Sequence, residues 1–162
     1  MAVRPKLTLQ RTFRAPIERV WELWTTRHGI ESWWGPDMFA VSVRDIDLRA
    51  GGHMHYVMAA IGADQIEFMK KAGMPVSTEH LITFTEVEPP RRLAYRELVD
   101  FVPGLDKYEV EAAVDLEEIG DSTRLVVTFD AMHDERWTEL ATRGREMELD
   151  RLGKVLGAPA TR

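Results

Sequence analysis

The period of the apolar residues changes several times along the chain, and each change predicts an element. Leu7 to Arg14 alternates as Leu7, Leu9 and then Phe13, a strand with a slip near Arg11. Pro16 suits the first turn of a helix, where its missing N–H costs nothing. Ile17, Val20, Trp21 and Trp24 then recur at helical spacing, opposite Glu18, Arg19 and Glu22. This helix is expected to break by His28-Gly29, and a shorter one, Ile30 to Trp34, to stop at Gly35-Pro36. From Phe39 the period returns to two. Phe39, Val41 and Val43 make one row, Ile46 and Leu48 a shifted one, and Gly51-Gly52 a hairpin turn. Met54, Tyr56 and Met58 share one face of the next strand, with His53, His55 and Val57 on the other. Gly62 to Pro75 reads as a loop or insertion with a short helical turn over Ile66 to Ala72.

Alternation resumes at His80, Ile82 and Phe84, and Pro89-Pro90 turns the chain. Leu93, Tyr95 and Glu97 share a strand face, and Phe101 to Asp106 is a loop. Tyr108, Val110, Ala112, Val114 and Leu116 give the clearest strand. Gly120-Asp121 turns it into a partner lined by Leu125, Val127 and Phe129. From Asp134, a capping residue, to about Leu156 the pattern is helical. Its buried stripe runs through Trp137, Leu140, Ala141, Gly144, Met147 or Glu148, Leu152 and Val155, ending at Gly157 and Pro159. Such a helix is about 35 Å long. Hairpin-linked strands followed by one long helix predict an α+β class: a curved antiparallel sheet of six to seven strands wrapped around that helix. The sheet gains roughly 5 Å per strand, whereas one helix is roughly 10 Å wide. Apolar sheet surface is left over, and a cavity is the expected result.

Composition narrows the function classes. The chain has 162 residues, which fits a single domain over 1–162 with its core at about 7–156. Apolar residues at 44% and charged residues at 30% make an ordinary globular core. A net charge of −6 without a basic stripe argues against nucleic acid and anionic membrane as partners. The absence of cysteine removes disulfides, thiolate metal sites and a cysteine nucleophile. Met1 to Lys6 carries no apolar signal core and no stretch reaches a membrane span, so a cytoplasmic setting without membrane insertion is expected. No nucleotide, zinc or nucleophile-elbow motif appears, and no cofactor or metal is expected.

Several segments resemble, in order, the bacterial proteins similar to the activator of Hsp90 ATPase (AHSA1-like), within the START/Bet v 1-like (SRPBCC) superfamily. They are Phe13-Arg14-Ala15-Pro16-Ile17-Glu18-Arg19-Val20-Trp21, Ser32-Trp33-Trp34-Gly35-Pro36, Asp47-Leu48-Arg49-Ala50-Gly51-Gly52, Glu86 to Leu93 and Gly120 to Leu125. The resemblance spans about Leu7 to Leu156. It implies a helix-grip fold with a cavity under the last helix. The superfamily includes lipid carriers, hormone receptors, polyketide cyclases and co-chaperone domains, and the fold does not select among them.

The candidate ligand-contacting residues are Trp34, Met54, Tyr56, Met58, His80, Phe84, Tyr95, Glu97, Phe129 and Met147. Trp33 and Trp34 both read first as packing the short helix onto the sheet end, and Trp34 is the one expected at the cavity if either ring meets a ligand. Glu97 continues an inward apolar row, so it holds a ligand hydroxyl or amine, acts as a general acid or base, sits at the strand end in water, or pairs with an arginine such as Arg151. His53 and His55 have chelating spacing but face away from the cavity with no third ligand. Three functions stand: binding a small apolar or amphipathic molecule, a cyclase- or hydrolase-like enzyme using Glu97 with Tyr95 or His80, and a co-chaperone surface. Binding leads, and no residue is assigned as catalytic. Ile66, Phe68 and Met69 are open either to a homodimer contact or to closing the cavity.

Overall fold

Each alternating segment forms a strand and each segment of helical period a helix. The structure, a computed structural model, describes residues 4–100 and 102–157. Phe101, Pro159 and Met1 to Val3, which figure in the sequence reading, lie outside the described residues. The order is β1 (Lys6–Phe13), α1 (Ile17–Thr25), α2 (Arg27–Trp33), β2 (Phe39–Ile46), β3 (His53–Ala60), α3 (Ala63–Lys71), β4 (Ser77–Glu88), β5 (Arg92–Val99), β6 (Tyr108–Ile119), β7 (Ser122–Asp130) and α4 (Glu135–Val155). The strands make one antiparallel sheet ordered β1-β7-β6-β5-β4-β3-β2. With α4 on its inner face, this is the α+β helix-grip arrangement.

Two bulges bend the sheet, one in β2 between Val43 and Asp45 and one in β4 between Phe84 and Glu86. The first is the shift that the rows Val43 and Ile46 predict. Between β2 and β3, Gly52 donates its N–H to the Arg49 carbonyl at 2.8 Å. A Cβ there would lie 2.1 Å from the Asp47 carbonyl oxygen, so only glycine closes the turn.

Two sequence expectations fail. β1 has no slip: its register with β7 is continuous from Lys6–Asp130 to Phe13–Thr123, and Arg11 stays in the inward row, 4% exposed. The polar residue was read as a break in the row, although the backbone is regular. The second helix starts before Ile30: α1 ends at Thr25, ahead of His28-Gly29 as expected, and α2 follows at once. Thr26 caps α2 by accepting from the Gly29 N–H at 3.0 Å, so α2 begins at Arg27. Gly29 allows close helix contact: a Cβ there would come within 2.6 Å of the Glu22 carbonyl oxygen.

The core sits between the sheet and α1, α2 and the C-terminal half of α4. Trp24, Trp33 and Trp34 form one aromatic cluster with centroids 4.7–5.4 Å apart. Trp33 is fully buried and donates its indole N–H to the Leu23 carbonyl at 2.8 Å. The buried residues of α4 are Leu149, Leu152 and Gly153, all in its second half. No helix among the described residues is long and apolar enough to cross a membrane.

Candidate functional site

A cavity of about 300 Å³ lies between the inner face of the sheet and the first half of α4. Its wall is mostly apolar, with Trp34, Met58, Val99, Val110, Phe129 and Trp137 among the lining side chains. Gly144 lines it from the helix side, and a Cβ there would meet nothing within 4 Å.

The sheet contributes one polar group by register. Tyr56 on β3 stands opposite His80 on β4, and Glu97 follows on β5, opposite Ile82. The Tyr56 and His80 rings stack at 4.9 Å with 9° between planes. The Tyr56 hydroxyl donates to Glu97 Oε1 at 3.0 Å, His80 Nδ1 lies 3.8 Å from the same oxygen, and His80 Nε2 shares a 2.7 Å hydrogen bond with Thr78 Oγ1. Burial pushes the His80 pKa below its ordinary value, against the pull of Glu97 and Asp100, so the ring is neutral at pH 7. Burial, then the Glu97 charge, pushes the Tyr56 phenol well up.

The helix contributes the other. Arg145 and Glu148 fall on the cavity side of α4, three residues apart. The Arg145 guanidinium lies 4.6 Å over the Phe129 ring and reaches the Tyr95 hydroxyl at 3.5 Å. Burial works against its charge, but Tyr95, Glu97 and Glu148 outweigh that, and its pKa rises. Burial raises the Glu148 carboxyl from 4.5 to about 7. Arg145 opposes the rise, Glu97 adds to it, and the Gly35 N–H and Arg151 also oppose it.

Of the candidate residues, Trp34, Tyr56, Met58, His80, Glu97 and Phe129 line the cavity. Met54 and Phe84 are buried in the core without lining it, at 1% and 2% exposure, and Tyr95 touches the site only by its hydroxyl. Met147 is a correction: it is 40% exposed, and Glu148 takes the inward position. From Ala141, a helical step of seven residues reaches 148 and not 147. Arg151 does not pair with Glu97; it donates to the Gly35 carbonyl at 2.7 Å and to that of Pro36 at 3.3 Å. Ile66, Phe68 and Met69 lie on or near α3 and do not line the cavity; Phe68 is 62% exposed. His53 pairs with Asp45 at 2.5 Å and His55 lies 3.7 Å from Glu79, and the described residues hold no group of three or more metal-binding side chains. The sequence reading missed Arg145. Its signal was the four-residue step from Ala141, masked by the assumption that the inward stripe is apolar.

A curved antiparallel sheet, one long helix across it and a partly polar cavity between them define a helix-grip domain. The chain belongs to the family described as Activator of Hsp90 ATPase homolog 1-like protein, whose pattern matches residues 14–157. No curated protein matches it. Among solved structures, a protein from Chromobacterium violaceum superimposes with a TM-score of 0.75 at 18% identity, over 93% of this chain and 96% of its own. One from Arthrobacter aurescens gives 0.75 at 21%, over 94% and 86%. The AHSA1-like protein from Aeromonas hydrophila gives 0.69 at 24%, over 93% and 90%. These likenesses establish the fold.

Proposed function

We propose that this chain binds one small apolar or amphipathic molecule in the cavity between the sheet and α4. One observation carries the reading: a void of about 300 Å³ with a mostly apolar wall and polar groups at defined positions. That volume is at the lower end of small-molecule sites. The proposal sets the chain in the cytoplasm, which its lack of cysteine permits. Native mass spectrometry of the purified protein, joined to a thermal-shift panel of hydrophobic compounds, tests it. Binding should appear in the wild type and weaken at least tenfold in Gly144→Phe, whose ring fills the void. No bound species and no shift from any compound would end the reading.

A second reading, acid–base catalysis, has its own observation: Tyr56 is hydrogen-bonded to Glu97, His80 stacks on Tyr56 with Nδ1 3.8 Å from the same carboxylate, and Glu148 titrates near 7 across the cavity. The sequence offers Tyr95 or His80 as the group acting with Glu97; the hydrogen bond to Glu97 comes from Tyr56, and the Tyr95 hydroxyl meets Arg145. Turnover of a bound compound, lost in Glu97→Gln while binding persists, would favour it over simple carriage. An Hsp90-type chaperone partner rests on the family description alone.

A further inference from the structure

Arg145 is a cation on a mostly apolar wall without a carboxylate at close range. No ion pair of the described residues includes it, and its polar contact is the long one to the Tyr95 hydroxyl. Glu97 has an oxygen engaged by Tyr56 and close to His80, and Glu148 is turned to the Gly35 N–H. Both carboxylates act on Arg145 at longer range, which helps keep it protonated, yet neither occupies its donors.

A guanidinium has five N–H donors in a planar fork, and at most one is used here. Arg145 is half-buried and none of its nitrogens is among the buried unpartnered atoms, so the unused donors face the open cavity, where an entering acceptor can reach them. The fork matches a carboxylate in two parallel hydrogen bonds, a fit that no alcohol or amine offers. Phe129 supports the flat face of the fork and Tyr95 holds one edge, so the group is positioned before any ligand arrives. Apolar surface at Trp34, Met58 and Trp137 adjoins it in the same cavity. The raised Glu148 carboxyl supports the same conclusion, since near neutral pH its negative charge is only partly present.

Resting on the binding reading above, we propose that the occupant is an apolar monocarboxylate, its head group paired with Arg145 and its body against the aromatic wall. Glu97, opposite on the sheet, then acts against a second negative charge and against dicarboxylates.

Calorimetry at pH 7 with dodecanoate, dodecanol and dodecylammonium, each below its micelle-forming concentration, separates charge from greasiness. Dodecanoate should bind about 10–100-fold more tightly than dodecanol, the range for a hydrogen-bonded charge pair. Dodecylammonium should bind most weakly. Arg145→Met should abolish the preference for carboxylate over alcohol, and Arg145→Lys should keep part of it. Equal or tighter binding of the alcohol or the ammonium overturns the proposal while leaving the cavity reading intact. So does a preference that survives in Arg145→Met. Failure of all three to bind removes both. If Arg145→Met does not fold, the wild-type series decides alone.

Discussion

Replacing Glu148 with glutamine keeps the shape of the side chain and removes its charge. In the folded protein burial raises this carboxyl from 4.5 to about 7, chiefly against Arg145. Between those values the folded chain binds more protons than the unfolded chain, so its stability falls as pH rises. The contribution is complete below about pH 4.5 and is lost as pH rises through about 7. A pKa raised that far is worth about 3 kcal/mol, and screening by water in the partly open cavity sets a working range of about 1–3 kcal/mol. Glutamine does not titrate. Glu148→Gln should therefore gain on the wild type by about 1–3 kcal/mol between pH 5 and pH 8, with most of the gain accruing up to about pH 7 and little beyond it. Urea unfolding of both proteins at pH 5, 6, 7 and 8 reads it as a midpoint difference widening by about 0.5–1.5 M, for a slope near 2 kcal/mol/M. Carboxylates that do not interact with Glu148 cancel in the difference. Two pH–stability curves that run parallel would show that Glu148 is not held in a low-dielectric wall, and the charge balance assigned to the cavity would be wrong.

Two further outcomes test the frame around the site. Trp33→Phe should cost about 2–4 kcal/mol in denaturant unfolding, because it leaves a void in a fully buried cluster and strips the Leu23 carbonyl of its donor; a loss under about 0.5 kcal/mol would contradict that packing. Gly52→Ala should lower the melting temperature by about 6 °C or more, since a Cβ 2.1 Å from the Asp47 oxygen forces the β2–β3 turn open; an unchanged melting curve would refute the tight turn.

The strands were legible because their rows are short and strict. Tyr108 to Leu116 has five alternating apolar positions, and the inward face of β6 follows them. The placement of Glu97 was legible for the same reason: Leu93 and Tyr95 fix the face before the charged residue is reached. What escaped were polar residues inside longer or weaker patterns. Arg11 looked like a fault in its row and is a buried member of it. On α4, residues 147 and 148 lie about 100° apart around the axis, and the sequence does not say how the helix is rotated against the sheet. Docking decides, and it places Arg145 and Glu148 inward. Gly29 misled in the opposite direction. Glycine weakens isolated helices, but here helix contact requires its lack of a side chain.

The division of the polar groups between two layers has a consequence for what an occupant does to the fold. Tyr56, His80 and Glu97 are positioned by strand register alone, whereas Arg145 and Glu148 reach the cavity only when α4 is docked. From Glu135 to Glu148 that helix has no fully buried residue; its anchors are Leu149, Leu152 and Gly153. The half of α4 that carries the cavity chemistry is thus the half with the least packing to hold it. A molecule that touches Arg145 on one side and the aromatic wall on the other supplies the missing contacts. Its binding free energy then adds to the docking of the helix, because the undocked state offers no such site. On the binding proposal, the apolar surface that a single helix fails to cover is for this reason both a cost to the empty fold and the surface a guest would gain by entering.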